Sequence, residues 1–352
     1  MTGQPDVVVI GGGSGAPILL LALKMLGIER ITMCNPTSDS GGGGIVVANG
    51  FGIPASSDVE RCVIALAPKD IQPEIELLFS VRFDTPGNNQ FHGIRASNLV
   101  TAAYQQHFGD FQEAIDALCR LCRVTGRVAP LTKSRVDIRA YYTNGKVIDR
   151  EHNIDDPEEA WQLTESIERL SLITPAVANP AAISAIANAD VILLSFGSLY
   201  TSLIAGLVVP GAVGAIRQAR ANGARIVYFS NTMTEPGQTS TLTKASQHAD
   251  VVMSYLNRPE DTDQILTHIV VDSIDSIPSE LEGRYSQSGA RIVVDDLGQS
   301  YCGTQVVHAD LLARETYTAT TTGKRQVIQY VRHDTTKLAP IIQSIVWPVG
   351  SP

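Results

Sequence analysis

Val7-Val8-Val9-Ile10 runs directly into Gly11-Gly12-Gly13-Ser14-Gly15. An apolar run with no alternation fits a strand buried on both faces, as in a parallel sheet. Ala16 to Leu26 is rich in helix formers, with Pro17 near the first turn, where proline is tolerated. Arg30 to Cys34 reads as a second strand. A strand, glycine loop, helix and strand in this order make the first unit of a doubly wound α/β sheet. No other segment constrains the fold as much.

The pattern returns downstream. Asp190 to Ser195 reads as a strand ending in Phe196-Gly197-Ser198, and Leu203–Leu207 and Ala212–Asn222 have helical period. Ala224–Ser230 is a further strand, followed by a loop from Asn231 to Gly237. Asp250–Ser254 and His268–Val271 read as short strands, and Asn98–Cys122 as helix broken at Phe108-Gly109-Asp110. Alternation between Arg127 and Asn153 around Asn144-Gly145 signals a hairpin. With an expected helix from Pro157 to Leu170, that hairpin forms an inserted lobe at about 127–180. With no repeat and no Pro/Ser-rich linker, residues 1–352 are expected to form a single α/β domain carrying this lobe.

The 352 residues, 44% hydrophobic and 18% charged, exclude a disordered chain and a collagen-like repeat. A net charge of -9 opposes a sequence-independent grip on nucleic acid or anionic membrane. Five scattered cysteines make no disulfide framework. No basic leader precedes the first apolar run, so a cytoplasmic protein is expected. Val191 to Ile216 is 26 residues without a charge, but Gly197-Ser198, Tyr200-Thr201-Ser202 and Pro210-Gly211 interrupt it. Such breakers would leave backbone groups unpaired in hydrocarbon, so no membrane insertion is expected.

Three glycine- or hydroxyl-rich loops fall where open sheets bind ligands. Gly11 to Ala16 fits G-x-G-x-x-A, in which backbone N–H groups approach a phosphate at a helix N-terminus. A NAD site would need an acid after the second strand, where Asn35-Pro36 stands instead. A tight strand-to-helix turn without ligand is the alternative. Ser38-Asp39-Ser40 followed by Gly41 to Gly44 suits close approach of a ligand or a flexible surface loop, and Asp39 could hold a metal or a ligand hydroxyl. In Gly197 to Ser202, backbone donors with Ser198 and Thr201 suit phosphate oxygens, while Tyr200 could pack on a base or sugar. Helix capping by the same hydroxyls is compatible with that role. Cys119 and Cys122 have metal spacing but share an apolar stripe with Phe111, Ile115 and Leu118, so they read as core thiols. With no H-E-x-x-H and no G-x-S-x-G, metallohydrolase and serine-hydrolase readings fall away.

Together these pieces resemble the YvcK/CofD-like family, in its gluconeogenesis-factor branch. Matching landmarks include Gly11 to Gly15, the Asp39 loop, Asp58 with Cys62, His92 with Asn98-Leu99, and Gly109-Asp110-Phe111. Later come Gly197 to Ser202, Asn231 to Thr239, Arg284-Tyr285 and Arg332-His333-Asp334. The resemblance implies a Rossmann-like doubly wound, mostly parallel sheet. It also implies a binding protein rather than an enzyme, one that holds a UDP-sugar and links central carbon metabolism to cell-wall growth and cell shape. The other branch implies a transferase that moves a phospholactyl-type group from a nucleotide diphosphate to a deazaflavin precursor. Expected ligand-binding residues are Gly12, Gly13, Ser14, Asp39, Gly41, Gly42, Asn98, Gly197, Ser198, Tyr200, Thr201, Asn231, Tyr285 and Arg332. The family loop usually carries a second Asp where Ser40 stands, which weakens any Mg²⁺ site, so no metal ligand is assigned. Thr335 resembles a regulatory phosphorylation point of the gluconeogenesis-factor branch. The expected partner is UDP-N-acetylglucosamine or another nucleotide diphosphate, with homodimerisation left open.

Overall fold

The computed structural model describes residues 3–273, 277, 283, 285, 287–313, 318–321, 324–327 and 332–348. The chain opens with β1 (Val7–Ile10), α1 (Gly15–Met25), β2 (Ile31–Cys34), α2 (Gly42–Phe51), α3 (Ser57–Leu66) and α4 (Gln72–Ser80). α5 (Ala96–Phe108), α6 (Phe111–Leu121), β3 (Arg127–Val128), β4 (Ile138–Tyr142), β5 (Val147–Asp149), α7 (Glu151–Asp155) and β6 (Ile167–Leu172) follow. Next are α8 (Pro180–Ala187), β7 (Val191–Leu194), a π-helical turn at Leu199–Ile204, α9 (Ala205–Leu207), α10 (Ala212–Ala221) and β8 (Arg225–Phe229). The chain continues through α11 (Ala245–Leu256), β9 (His268–Asp272), β10 (Ser300–Tyr301), β11 (Thr304–Ala309), the antiparallel pair β12 (Thr318–Thr321) and β13 (Lys324–Val327), and α12 (Thr335–Val346).

One eight-stranded sheet has the order β3-β2-β1-β7-β8-β9-β11-β10 and is parallel except for β10. Along β1, Val7 and Val9 face one apolar cluster while Val8 and Ile10 face another, which is why the run shows no polar alternation. α1, α3, α6 and α12 cover the first face, and α8, α10 and α11 the second. The chain leaves β1 toward β2, yet β7 pairs on the other side of β1, with Val7 opposite both Ile31 and Val191. That reversal opens a crevice at the carboxyl ends of β1 and β7.

The hairpin at Asn144-Gly145 is present. Gly145 has φ +78°, and its N–H donates to the Tyr142 carbonyl at 2.8 Å. β4 also pairs with β6, giving a small sheet β5-β4-β6 that packs Ile138, Ala140 and Tyr142 into the second cluster. This corrects the expected helix at Pro157–Leu170, which is a 3₁₀ turn at Ala160–Leu163 and the start of β6. Pairing to β4 overrides local helix propensity there. Asp250–Ser254 lies inside α11, not in a strand, because Ala245, Ala249, Val252, Met253 and Leu256 make one buried helical stripe. The glycines after Asp39 are not a loop throughout, since α2 begins at Gly42. A Cβ on Gly43 would stand 2.4 Å from the Gly93 carbonyl oxygen, so close packing requires glycine at that position.

Among the described residues no single helix is long and apolar enough to cross a membrane. The charge-free run folds into β7 and two helical segments, Leu199–Leu207 and Ala212–Ala221, bent by 74°. Cys119 and Cys122 pack with the first cluster, and burial pushes their thiols up to about 12 and about 11.

Glu60 ties α3 to α5. Its buried carboxyl accepts from Ser56 Oγ (2.6 Å), Ser97 Oγ (2.5 Å), Asn98 Nδ2 (2.9 Å) and Thr101 Oγ1 (3.0 Å). Glu60→Ala strands these donors in the core and should cost about 3 kcal/mol in urea unfolding, while Glu60→Gln should cost less. A loss below about 1 kcal/mol for the alanine variant would contradict this role.

Candidate functional site

At the crevice the loop after β1 lies backbone to backbone on the loop after β7. A Cβ on Gly15 would stand 2.7 Å from the Gly197 nitrogen, and one on Gly197 2.5 Å from the Gly12 carbonyl oxygen. A Cβ on Gly12 would meet Asp58 Oδ2 at 2.3 Å. Backbone contacts therefore require glycine at Gly15 and Gly197 before any ligand arrives, while at Gly12 the Asp58 side chain would have to move. Gly13 sits in the left-handed region at φ +64°, and its N–H donates to Asp58 Oδ2 at 2.6 Å. A carboxylate thus already occupies one donor of the expected phosphate cradle. Ser14 is exposed and its side chain caps nothing.

Above these loops is a cavity of about 220 Å³. Gly13, Ser198, Thr201 and Ser202 form one side, Asp39 and Asp58 another, and α7 contributes Glu151 and Asp155 four residues apart. Ser38 also lines it, with a buried hydroxyl that has no hydrogen-bond partner. Among the described residues Arg61 is the one cation in this lining, and its Nη1 donates to Asp58 Oδ1 at 2.8 Å. Burial raises the Asp39 carboxyl, and the neighbouring Asp58 adds to the effect. Glu151 is raised by burial and then by Asp39. Asp155 is held well above the usual carboxylate range by enclosure, by Glu151 and by Glu235. Glu235, raised by burial, accepts from the Leu199 N–H at 3.1 Å.

A second cavity of about 230 Å³ adjoins the first and shares Asp39 and Arg61 with it. Its wall carries Arg82, Arg95, Ser57 and Asn98 together with Gly41, Gly43 and Gly44 at the start of α2. One cavity is acidic and the other basic.

Of the fourteen sequence-expected residues, Gly13, Asp39, Ser198 and Thr201 line the acidic cavity, and Asp39, Gly41 and Asn98 the basic one. Asn98 is spent on protein bonds, donating to Glu60 and accepting from the Arg95 N–H at 3.4 Å. Gly42 opens α2. Gly12 and Gly197 hold the loop contact, and Asn231 Nδ2 donates to the Gly197 carbonyl at 2.9 Å. Tyr200 lines neither cavity: it is buried in the core with its hydroxyl on the Ile167 carbonyl at 2.5 Å, so it offers no face to a base or sugar. Tyr285 and Arg332 also lie outside both linings. Tyr285 is half-buried and its carbonyl accepts from the Ala290 N–H, beside Arg291, whose N–H donates to Thr234 Oγ1. Arg332 precedes His333, which stacks on Phe196 with ring centroids 3.8 Å apart, directly before Gly197. Thr335 is half-buried at the first turn of α12, next to the capping Asp334.

Ser40, which stands where the family loop usually carries a second Asp, donates its N–H to Glu151 Oε2 at 3.0 Å, so α7 brings a carboxylate to that place. No group of three or more metal-ligating side chains is arranged for a cation among the described residues. Asp58, Asp39 and Asp155 already accept from Gly13, Gly41 and Gln238. No preformed Mg²⁺ cage fits this donor set.

Sequence reasoning missed Arg61, Arg82, Arg95, Glu151, Asp155 and Glu235. One signal was readable: Glu151 and Asp155 put like charges on one helix face at i and i+4, which destabilises a helix. The arginines carried no motif.

A folded carboxyl held above its unfolded value contributes stability that is complete below about pH 4 and lost as pH rises through the folded value. Asp155→Asn should therefore raise the melting temperature of the unliganded protein at pH 8 and leave it near the parent's at pH 4. Buried His248 and His333, lowered to about 4 and about 3 by desolvation, act the other way as pH falls through 6.5. For that reason melts of parent and variant are compared at each pH. A variant less stable than the parent at pH 8 would contradict the strained acidic wall.

Residues 7–312 match the family described as 2-phospho-L-lactate transferase CofD. The chain is 30% identical over 344 residues to the gluconeogenesis factor of Bacillus subtilis, covering 97% of this chain and 98% of that protein. It is 31% identical over 295 residues to the gluconeogenesis factor of Halalkalibacterium halodurans, covering 83% and 85%. A crystal structure of a UPF0052 family member from Bacillus halodurans superposes with a TM-score of 0.82 at 27% identity, over 96% of this chain and 98% of that one. With the switch-point crevice, the ordered loops and these matches in agreement, the chain belongs to the CofD family.

Proposed function

We propose that the protein is a regulatory binder of a nucleotide sugar, a UDP-sugar such as UDP-N-acetylglucosamine, of the gluconeogenesis-factor type. In this reading it acts in the cytoplasm and links central carbon metabolism to cell-wall growth and cell shape. The observation that carries the reading is the junction of an acidic and a basic cavity at Asp39 and Arg61. A nucleotide sugar has the matching polarity, with a diphosphate that takes guanidinium donors and sugar hydroxyls that donate to carboxylates. At about 220 and 230 Å³, each cavity is below the roughly 300–1,000 Å³ of a usual small-molecule site. Side by side they suit a ligand of two linked parts. Arg332, next to the His333–Phe196 stack, and Tyr285 stand outside both cavities and enter this reading as ligand contacts implied by the family resemblance.

Thermal shift and calorimetry with UDP-N-acetylglucosamine test this reading. Binding should raise the melting temperature by mass action. EDTA should change affinity less than about threefold, since arginines rather than a metal offset the phosphate charge. No shift with any nucleotide or UDP-sugar would remove the reading, and turnover with Mg²⁺ would favour the transferase branch. Arg332→Glu should weaken the same ligand at least about tenfold. Unchanged affinity would take Arg332 out of the site.

A further inference from the structure

Arg82 and Arg95 stand directly opposite each other in an antiparallel bridge. Flanking bonds from the Phe83 N–H to the Ile94 carbonyl (2.9 Å) and from the Gly93 N–H to the Phe83 carbonyl (2.8 Å) hold this ribbon closed. Like charges directly across a strand pair are destabilising. Arg61 reaches the same cavity from α3. The protein only partly answers this charge. Arg61 is paired with Asp58, which it shares with the Gly13 N–H, and Arg82 Nη1 donates to the Gly93 carbonyl at 2.8 Å. Arg95 Nε is buried with no hydrogen-bond partner. Asp39 is the carboxylate on this wall and is turned to the Gly41 N–H at 2.9 Å, while the buried Glu60, which also acts on Arg95, accepts from Ser56, Ser97, Asn98 and Thr101. The wall is completed by the N-terminal turn of the ten-residue α2, whose dipole is positive on that side. Burial, followed by Arg61 and Arg82, lowers the Arg95 guanidinium to about 10.

A cluster of cations kept together against its own repulsion is organised for an anion. We infer that Arg61, Arg82 and Arg95 form the anion subsite of this protein and receive the diphosphate of its ligand, in place of the glycine loop after β1. Guanidinium forks match phosphate oxygens in pairs, and the ribbon fixes two of them on one wall. The glycine loop competes poorly, because a carboxylate already holds its Gly13 N–H and the cavity above it is lined by four acidic side chains. The inference rests on the nucleotide-sugar reading for the rest of the ligand but not for the anion.

Calorimetry and thermal melts on the full chain test it, with inorganic pyrophosphate and UDP-N-acetylglucosamine as separate probes. Arg82→Gln and Arg95→Gln should each weaken pyrophosphate at least about tenfold, and without ligand should melt at or above the parent's temperature. Arg95→Lys, which keeps the charge but not the fork, should lose part of the affinity and serves if a glutamine variant fails to fold. Parental pyrophosphate affinity in the arginine variants, or no pyrophosphate binding by the parent, overturns the subsite. Pyrophosphate bound through the arginines without any binding of UDP-N-acetylglucosamine keeps the subsite and removes the nucleotide-sugar reading. UDP-N-acetylglucosamine bound equally by parent and variants does the reverse.

Discussion

The contact between two backbone loops at the switch point is the constraint on which the rest depends. Gly15 and the Gly12 carbonyl meet Gly197, with no room for a side chain on Gly15 or Gly197. This contact joins the β1 and β7 halves of the sheet at their carboxyl ends. It also leaves Gly13, Ser198 and Ser202 as one wall of a cavity instead of two separate loops. Because the contact is backbone to backbone, sequence elsewhere can diverge while the crevice keeps its shape.

Around that junction the chain gathers charge that folding alone does not need. α7 brings Glu151 and Asp155 to Asp39, and the 81–96 ribbon brings Arg82 and Arg95 to Arg61. Each group keeps like charges close in partly desolvated places, which costs stability in the unliganded state. By contrast, the buried Glu60 is fully satisfied by hydroxyls and an amide, and it holds the helices from which Arg61 and Asn98 project. Glu60, with four donors of its own, is next on α3 to Arg61, whose partner Asp58 is shared with the Gly13 N–H. The first supports the scaffold, and the second joins Arg82 and Arg95, whose buried Nε has no hydrogen-bond partner, on a wall open to a ligand of complementary polarity.

Much of the fold was legible because β1 and its glycine loop specify a parallel, doubly buried strand and a strand-to-helix turn. The Asn144-Gly145 hairpin was legible for a similar local reason, since the turn needs φ > 0 at Gly145. Asp250–Ser254 was not, because a short apolar run fits a strand or one stripe of a longer helix equally well. β6 was missed because its pairing partner, β4, lies about thirty residues away. At the site, loop glycines and hydroxyls could be read from spacing. Tyr200 could not be placed, since a tyrosine after a glycine loop can face a ligand or the core, and here the Ile167 carbonyl takes its hydroxyl. Arg82 and Arg95 were invisible because thirteen positions and a ribbon closure separate them in sequence.

The central claim is a division of labour in the cleft, with the ligand's diphosphate on the arginine wall and its sugar against the carboxylates of α7. A crystal structure with UDP-N-acetylglucosamine bound tests this most directly. The account predicts phosphate oxygens within hydrogen-bond reach of Arg82 and Arg95, and sugar hydroxyls facing Glu151 and Asp155. A diphosphate seated on the Ser14–Gly15 backbone, with the arginine wall empty, would contradict it.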